Sequence, residues 1–313
     1  MSLLRSISCS SLSFFFIALV ITSSSSSATS TGSISGTRRY NAMFSFGDSV
    51  AETGNICIVS SNNSTELDVL TCTHPPYGMT YFGKPSCRWS NGRVVVDLIE
   101  CTGFLAESLF QFGGFGGNDY NIQLLELGLT VEQAMENTPL IVDAIVNGIE
   151  RLIALGAVHI VVPGILPTGC LPLFLTLFSQ PQATDFDQHG CLKSFNRLTE
   201  YHNSMLQKQV QILQAKHRST RMMYADYSSQ VYKMVQQPQE FGFRNPLETC
   251  CGAGGGKYNF DVAARCGMPG ATTACRDPSA RLSWDGVHPT EAANKMIADA
   301  WLNGPYCTPP ILS

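Results

Sequence analysis

The chain has 313 residues, of which 44% are hydrophobic and only 14% charged, and its 20 basic and 24 acidic side chains give a formal net charge of −4. With no basic run and no acidic tail, this balance gives no electrostatic case for nucleic acid or an anionic membrane as partner. A neutral or weakly charged small molecule fits better, and the length suffices for one large domain with its own core.

Residues 1–27 read as a secretory signal: Arg5 in a short polar start, an apolar stretch from Leu12 to Ile21, a serine run, and small residues around Ser27 and Ala28. The apolar stretch is too short for a spanning helix, so no stable membrane anchor is expected. Residues 28–313 are expected to form a single domain, secreted to the extracellular space or cell wall. Cys9 falls in the signal, which leaves Cys57, Cys72, Cys87, Cys101, Cys170, Cys191, Cys250, Cys251, Cys266, Cys275 and Cys307. This odd set predicts several disulfides, a stapled late cluster and at least one leftover thiol, with the pairing open.

Met43 to Phe46 predicts a short buried strand, and Gly47 then permits a tight turn that places Ser49 at a strand-to-loop or strand-to-helix corner. In the polar loop that follows, Asn62 and Asn63 begin two overlapping glycosylation acceptors, and crowding favours occupancy of one. Asn91 precedes Gly92-Arg93-Val94-Val95-Val96-Asp97-Leu98-Ile99, read as a helix start despite its valines. Thr130 and Gln133 form a capping-box pattern, and Ile141, Val142, Ile145, Ile149, Leu152 and Ile153 recur at helical spacing until Gly156.

His159 to Val162 predicts a buried strand, Leu192 to Leu213 a second long helix, and Met222 to Ala225 another strand. Alternation of this kind implies a mostly parallel sheet with helices on both faces. Near the end, Pro289 suits the first position of a helix running from Thr290 to about Leu302, which makes His288 the expected N-cap.

Three short motifs carry chemistry. Phe46-Gly47-Asp48-Ser49 supplies a hydroxyl nucleophile, and Asp285-Gly286-Val287-His288 supplies a base with a carboxylate one turn away to fix its tautomer. Gly116-Gly117-Asn118-Asp119 adds an amide that can donate to an oxyanion beside the Ser49 backbone N–H. Parallel sheets gather such residues on loops beyond the carboxyl ends of the strands, so distance in sequence is no obstacle. His159, His202 and His217 read as structural or surface histidines, whereas His74, before Pro75-Pro76, could line a substrate cleft. No His-Glu-x-x-His or paired Cys-x-x-Cys occurs, and Gly252 to Lys257 is one residue short of a phosphate loop, so neither metal nor cofactor is expected.

At these residues the chain resembles the plant secreted GDSL esterase/lipase family of the SGNH hydrolase superfamily. Phe46 to Asn55 is similar to its nucleophile block, Gly116 to Tyr120 to its Asn block, and Asp285 to Thr290 to its base block. Pro75-Pro76-Tyr77-Gly78, Ser90-Asn91-Gly92-Arg93, Pro163-Gly164 through Gly169-Cys170, and Cys250-Cys251-Gly252 support the match. The resemblance implies an α/β domain, a flavodoxin-like three-layer α/β/α arrangement. It also implies Ser49 as nucleophile, His288 as base, Asp285 as its partner, Ser49 and Asn118 as oxyanion donors, and a small acyl or lipid-like ester as substrate.

One departure stands out. The family's second block, a glycine-bearing strand end that supplies a further oxyanion donor, is absent between the Ser and Asn blocks. The stretch from Asp97 to Asn118 is too short for a strand-helix-strand crossover of about 30 residues. An omitted internal strand-helix segment is therefore an expectation of this reading. The alternative function is a shortened secreted scaffold that binds ligands without turning them over. Oligomeric state is left open.

Overall fold

The computed structural model describes residues 42–53, 57, 70–98, 108–178, 185–253 and 255–313. The proposed leader and the acceptors Asn62 and Asn63 lie outside the described residues. Strands β1 (Ala42–Phe46), β2 (Ser108–Phe112), β3 (His159–Pro163) and β4 (Arg221–Ala225) are parallel, and β5 (Cys307–Thr308) runs antiparallel to β4. Their order across the sheet is their order in the chain. Ala42 pairs with Ser108, Leu109 with His159, and His159 with Arg221.

Side-chain alternation along the strands divides the core. Leu109, Val161, Met223 and Ala225 pack with Val231 and Met234 of helix α6 (Tyr227–Gln236) and with Ile297 and Trp301 of α7 (Glu291–Asn303). Phe110, Ile160, Val162, Met222 and Tyr224 pack instead with α3 (Thr138–Ala154) and α5 (Lys193–Lys216). Period 2 in a strand sends successive side chains to opposite faces, and helices cover both, which explains the unbroken apolar run Ile160-Val161-Val162. Complete burial of each such side chain contributes about 1.5–3 kcal/mol. The result is a three-layer α/β/α fold.

Between β2 and β3 the chain forms α1 (Gly117–Asn121), which runs on as a π-helical turn, then α2 (Val131–Glu136) and α3. The capping box is present: Gln133 N–H donates to Thr130 Oγ1 at 3.2 Å, and Thr130 N–H to Gln133 Oε1 at 2.9 Å. The single helix expected up to Gly156 is divided at Asn137, because Pro139, near the start of α3, has no N–H with which to continue the preceding ladder. Gly148 lets the Phe112 ring lie directly on the α3 backbone.

The helix expected from Asn91 is only a 3-10 turn, Val95–Leu98, with residues 99–107 outside the described set. Val94, Val95 and Val96 are buried, and Asp97 accepts the Val94 N–H while pairing with Arg88 at 2.6 Å. Asn91 caps elsewhere, its Oδ1 accepting the Glu291 N–H at 2.8 Å.

Four disulfides join Cys57 to Cys87, Cys170 to Cys191, Cys250 to Cys275 and Cys251 to Cys266, so the late cysteines do form a staple. Among the described residues Cys72 and Cys307 are buried thiols, and Cys101 lies outside them. No helix among the described residues is long and apolar enough to cross a membrane.

Candidate active site

The carboxyl ends of all four parallel strands open onto one cleft. Asp48 and Ser49 follow β1, Gly114, Gly117 and Asn118 follow β2, Gly164 and Ile165 follow β3, and Tyr227 follows β4. Leu166, Leu171, Phe174 of helix α4 (Pro172–Leu177) and Val287 complete an apolar wall around about 480 Å³ of space that includes the open mouth.

Ser49 sits in a turn built by its neighbours. A Cβ at Gly47 would come within 2.7 Å of the Ala51 Cβ and 3.0 Å of the Gly113 carbonyl, so close approach is what demands glycine here. Asp48 Oδ1 accepts the Val50 N–H at 3.1 Å, and the Asp48 carbonyl accepts the Ala51 N–H at 3.0 Å. These bonds straddle Ser49, whose own N–H has no acceptor among the described residues. The Asp48 carboxyl turns inward toward Gly114 and Gly117, and burial pushes its pKa up to about 6 against the opposing pull of the Val50 N–H and of His288.

His288 comes from a tight hairpin. Trp284 N–H donates to the His288 carbonyl at 2.8 Å, Ser283 bridges Pro289, and Gly286 turns the chain at φ +101° with the Phe260 ring against it. Asp285 Oδ1 accepts the Val287 and His288 N–H groups at 3.0 and 2.9 Å, and Oδ2 faces His288 Nδ1 at 2.7 Å. An ionised carboxylate only accepts, so Nδ1 carries the proton and Nε2 is left to accept from the Ser49 hydroxyl, 2.7 Å away. Asp285 and His288 are 7% and 8% exposed. Burial alone would raise the Asp285 pKa, but His288, its backbone N–H and the Tyr77 hydroxyl together hold it below the usual carboxylate value.

Tyr77, which no motif marks as a functional group, donates to Asp285 Oδ2 at 2.8 Å. The Pro75-Pro76-Tyr77-Gly78 segment was visible only as a family match. His74 is not on the cleft wall. The expected helix cap is corrected as well. Thr290, not His288, is the N-cap, its Oγ1 accepting the Ala293 N–H at 3.3 Å, because Pro289 is held in a bridge to Ser283 and the backbone stays extended through Thr290.

Asn118 lies in α1 with its side chain exposed on the cleft, and no other group among the described residues uses its carboxamide. Two of the glycines before it, Gly113 and Gly114, offer no substitute donor. Gly113 N–H is taken by the Phe46 carbonyl at 3.2 Å and Gly114 N–H by the Pro163 carbonyl at 3.1 Å. Among the described residues no group of three or more His, Cys, Asp or Glu side chains is placed to hold a metal ion.

Chemically, a hydroxyl bonded to a buried imidazole that is itself oriented by a carboxylate is the arrangement needed to activate a serine. Residues 112–301, which contain Asn118, Asp285 and His288 but not Ser49, match the GDSL-like Lipase/Acylhydrolase family. GDSL esterase/lipase At1g28670 of Arabidopsis thaliana is 33% identical over 88% of this chain and 90% of its own length. The Sinapine esterase of Brassica napus is 32% identical over 87% of each chain. The first alignment spans 352 positions, more than the 313 residues present here, so that relative carries internal residues with no counterpart in this chain. On this match and this extent of similarity, the chain belongs to the GDSL-like lipase/acylhydrolase family and, by that membership, to the carboxylic-ester hydrolases.

Proposed function

We propose that this chain hydrolyses uncharged carboxylic esters with small apolar acyl groups through an acyl-enzyme. The observation that carries the reading is the continuous relay from Ser49 Oγ through His288 to Asp285, with both links at 2.7 Å. Ser49 Oγ attacks the ester carbonyl while His288 Nε2 takes its proton, and Asp285 stabilises the imidazolium that forms. The Ser49 N–H and the Asn118 carboxamide receive the oxyanion. Collapse of the tetrahedral intermediate expels the alcohol, protonated by His288, and water then enters by the reverse sequence to release the acid. The apolar wall of Ile165, Leu166, Leu171, Phe174 and Val287 supports an uncharged acyl group.

The oxyanion hole in this proposal uses the Ser49 N–H and the Asn118 carboxamide, and Gly113 and Gly114 add nothing to it because their N–H groups are committed elsewhere. One donor fewer costs about 2.7–4 kcal/mol of transition-state stabilisation, so turnover is slower than in relatives that keep a third. The test is labelling of the folded protein by a fluorophosphonate together with hydrolysis of short-chain p-nitrophenyl esters. Both are expected and both vanish in Ser49→Ala. Ester binding without turnover, unchanged by Ser49→Ala, would replace this reading with that of a non-catalytic scaffold.

Secretion belongs to the same proposal, with residues 1–27 as the signal, residues 28–313 as one domain, and glycan on Asn62 or Asn63. The four disulfides support it, because such bonds persist in oxidising compartments. A glycosidase-sensitive, N-terminally processed form in the medium of expressing cells would be the expected finding.

A further inference from the structure

We propose that Tyr77 is a positioning residue that sets the pH range in which His288 acts as a base, by donating to the same Asp285 oxygen that holds the imidazole. The inference rests on the esterase reading of this site and concerns a residue that takes no part in the proton relay itself.

The geometry is specific. Asp285 Oδ2 accepts from Tyr77 Oη at 2.8 Å and from His288 Nδ1 at 2.7 Å, while Oδ1 accepts two backbone N–H groups. All four acceptor positions of the carboxylate are thereby filled. Tyr77 is 2% exposed and is held edge-on by two indoles, Trp89 at 5.8 Å and Trp284 at 5.9 Å. Trp89 also stacks on the His288 ring at 5.4 Å, so one loop fixes both the phenol and the imidazole. Burial, followed by the Asp285 charge, holds the Tyr77 pKa well above its usual value, so the phenol is a donor throughout the working range.

A donor on the carboxylate draws off negative charge that would otherwise stabilise the imidazolium. Tyr77 therefore lowers the pH needed to keep His288 neutral, while Asp285 still fixes its tautomer. The other ionisable groups facing this cluster are Asp48, which acts on His288 from the turn after β1, and the Cys72 thiol, which lies against Tyr77 and Asp285 with Glu52 beyond it. Burial pushes that thiol up to about 12, so it stays neutral. Of the groups around the cluster, the Tyr77 hydroxyl is the one that bonds Asp285 Oδ2 beside His288 Nδ1.

Tyr77→Phe keeps the ring between its indoles and deletes the hydroxyl, with its bond to Asp285 and its contact with Thr71. The acid limb of kcat/KM is expected to move to higher pH by about 0.5–1 unit, a three- to tenfold loss below the limb, with the high-pH plateau within about twofold of wild type. Site-specific 3,5-difluorotyrosine at position 77, a stronger donor, should move the limb the other way, and it serves if the phenylalanine variant does not fold. An unmoved limb in a folded variant, or a loss equal at every pH, would overturn the proposal. NMR titration of His288 in Ser49→Ala, with and without Tyr77→Phe, reads the same shift with no turnover. A failure of the esterase reading is thus separated from a failure of this one.

Discussion

The imidazole of His202 lies directly beneath Gly116, so that a Cβ on this glycine would come within 2.7 Å of His202 Cε1. Gly116 adopts φ +110° and precedes α1, the helix that carries Asn118. His202 Nδ1 faces Tyr120 Oη at 3.0 Å, and that hydroxyl also contacts Thr138 Oγ1 at 2.9 Å. The helix that carries Asn118, the proposed oxyanion donor, is therefore seated on a buried polar cluster from α3 and α5. Gly116→Ala should cost about 1–3 kcal/mol of stability from its left-handed backbone alone, and it should lower kcat by tilting α1. Thermal denaturation and steady-state ester kinetics on one preparation check both effects.

His202 also gives stability a pH dependence. Burial lowers its pKa from 6.5 to about 4, so the folded state prefers the neutral ring. The contribution is complete above 6.5 and is lost as pH falls through 4, where the folded state must accept the charge. Denaturant titrations of His202→Leu and wild type at pH 7, 5.5 and 4 should show their stability difference shrinking with acidification.

Asp48 acts with the opposite sign. Its pKa is raised from 3.8 to about 6, so its contribution is present below 3.8 and is lost as pH rises through 6. At pH 7 the chain keeps an ionised carboxylate where a neutral group is preferred. Asp48→Asn preserves the acceptor for the Val50 N–H and should be more stable than wild type at pH 7 by about 1–3 kcal/mol, with no gain below pH 4. The Asp48 and His202 windows overlap, so wild-type stability between pH 4 and 6 should be flatter than that of either variant.

Asn118→Ala should reduce kcat by about 10²–10³ while leaving KM near its original value, because the carboxamide is needed where negative charge develops rather than where substrate binds. An equal rise in KM with kcat intact would mark Asn118 as a substrate-binding group instead.

How far these features can be read from sequence depends on how local their causes are. β3, β4 and α5 are legible because burial on both sheet faces, or on one helix face, imposes a pattern on consecutive residues. The Thr130 box is legible because its two bonds close within four residues. The break at Asn137 is subtler, since apolar periodicity continues through it. Residues 91–98 mislead because valines buried by α7 and an ion pair to Arg88 are tertiary facts. At the site, Ser49, Asp285 and His288 announce themselves through motifs, whereas the Tyr77 hydroxyl meets Asp285 across 208 residues and leaves no spacing to detect.

β1 pairs with β2 along one side and, among the described residues, has no strand on its other side. Ser49 thus follows an edge strand of the sheet, while His288 and Asp285 sit in a hairpin bonded to the disulfide-linked residues Cys250 and Cys251. The proposed relay thus joins an edge strand to a hairpin tied to two disulfides. An edge strand opens more readily than one paired on both sides, so residues 42–46 are expected to fray early and to part hydroxyl from imidazole. On warming, hydrolysis should fade while circular dichroism is still native, and the backbone amides of β1 should exchange hydrogen ahead of those of β3.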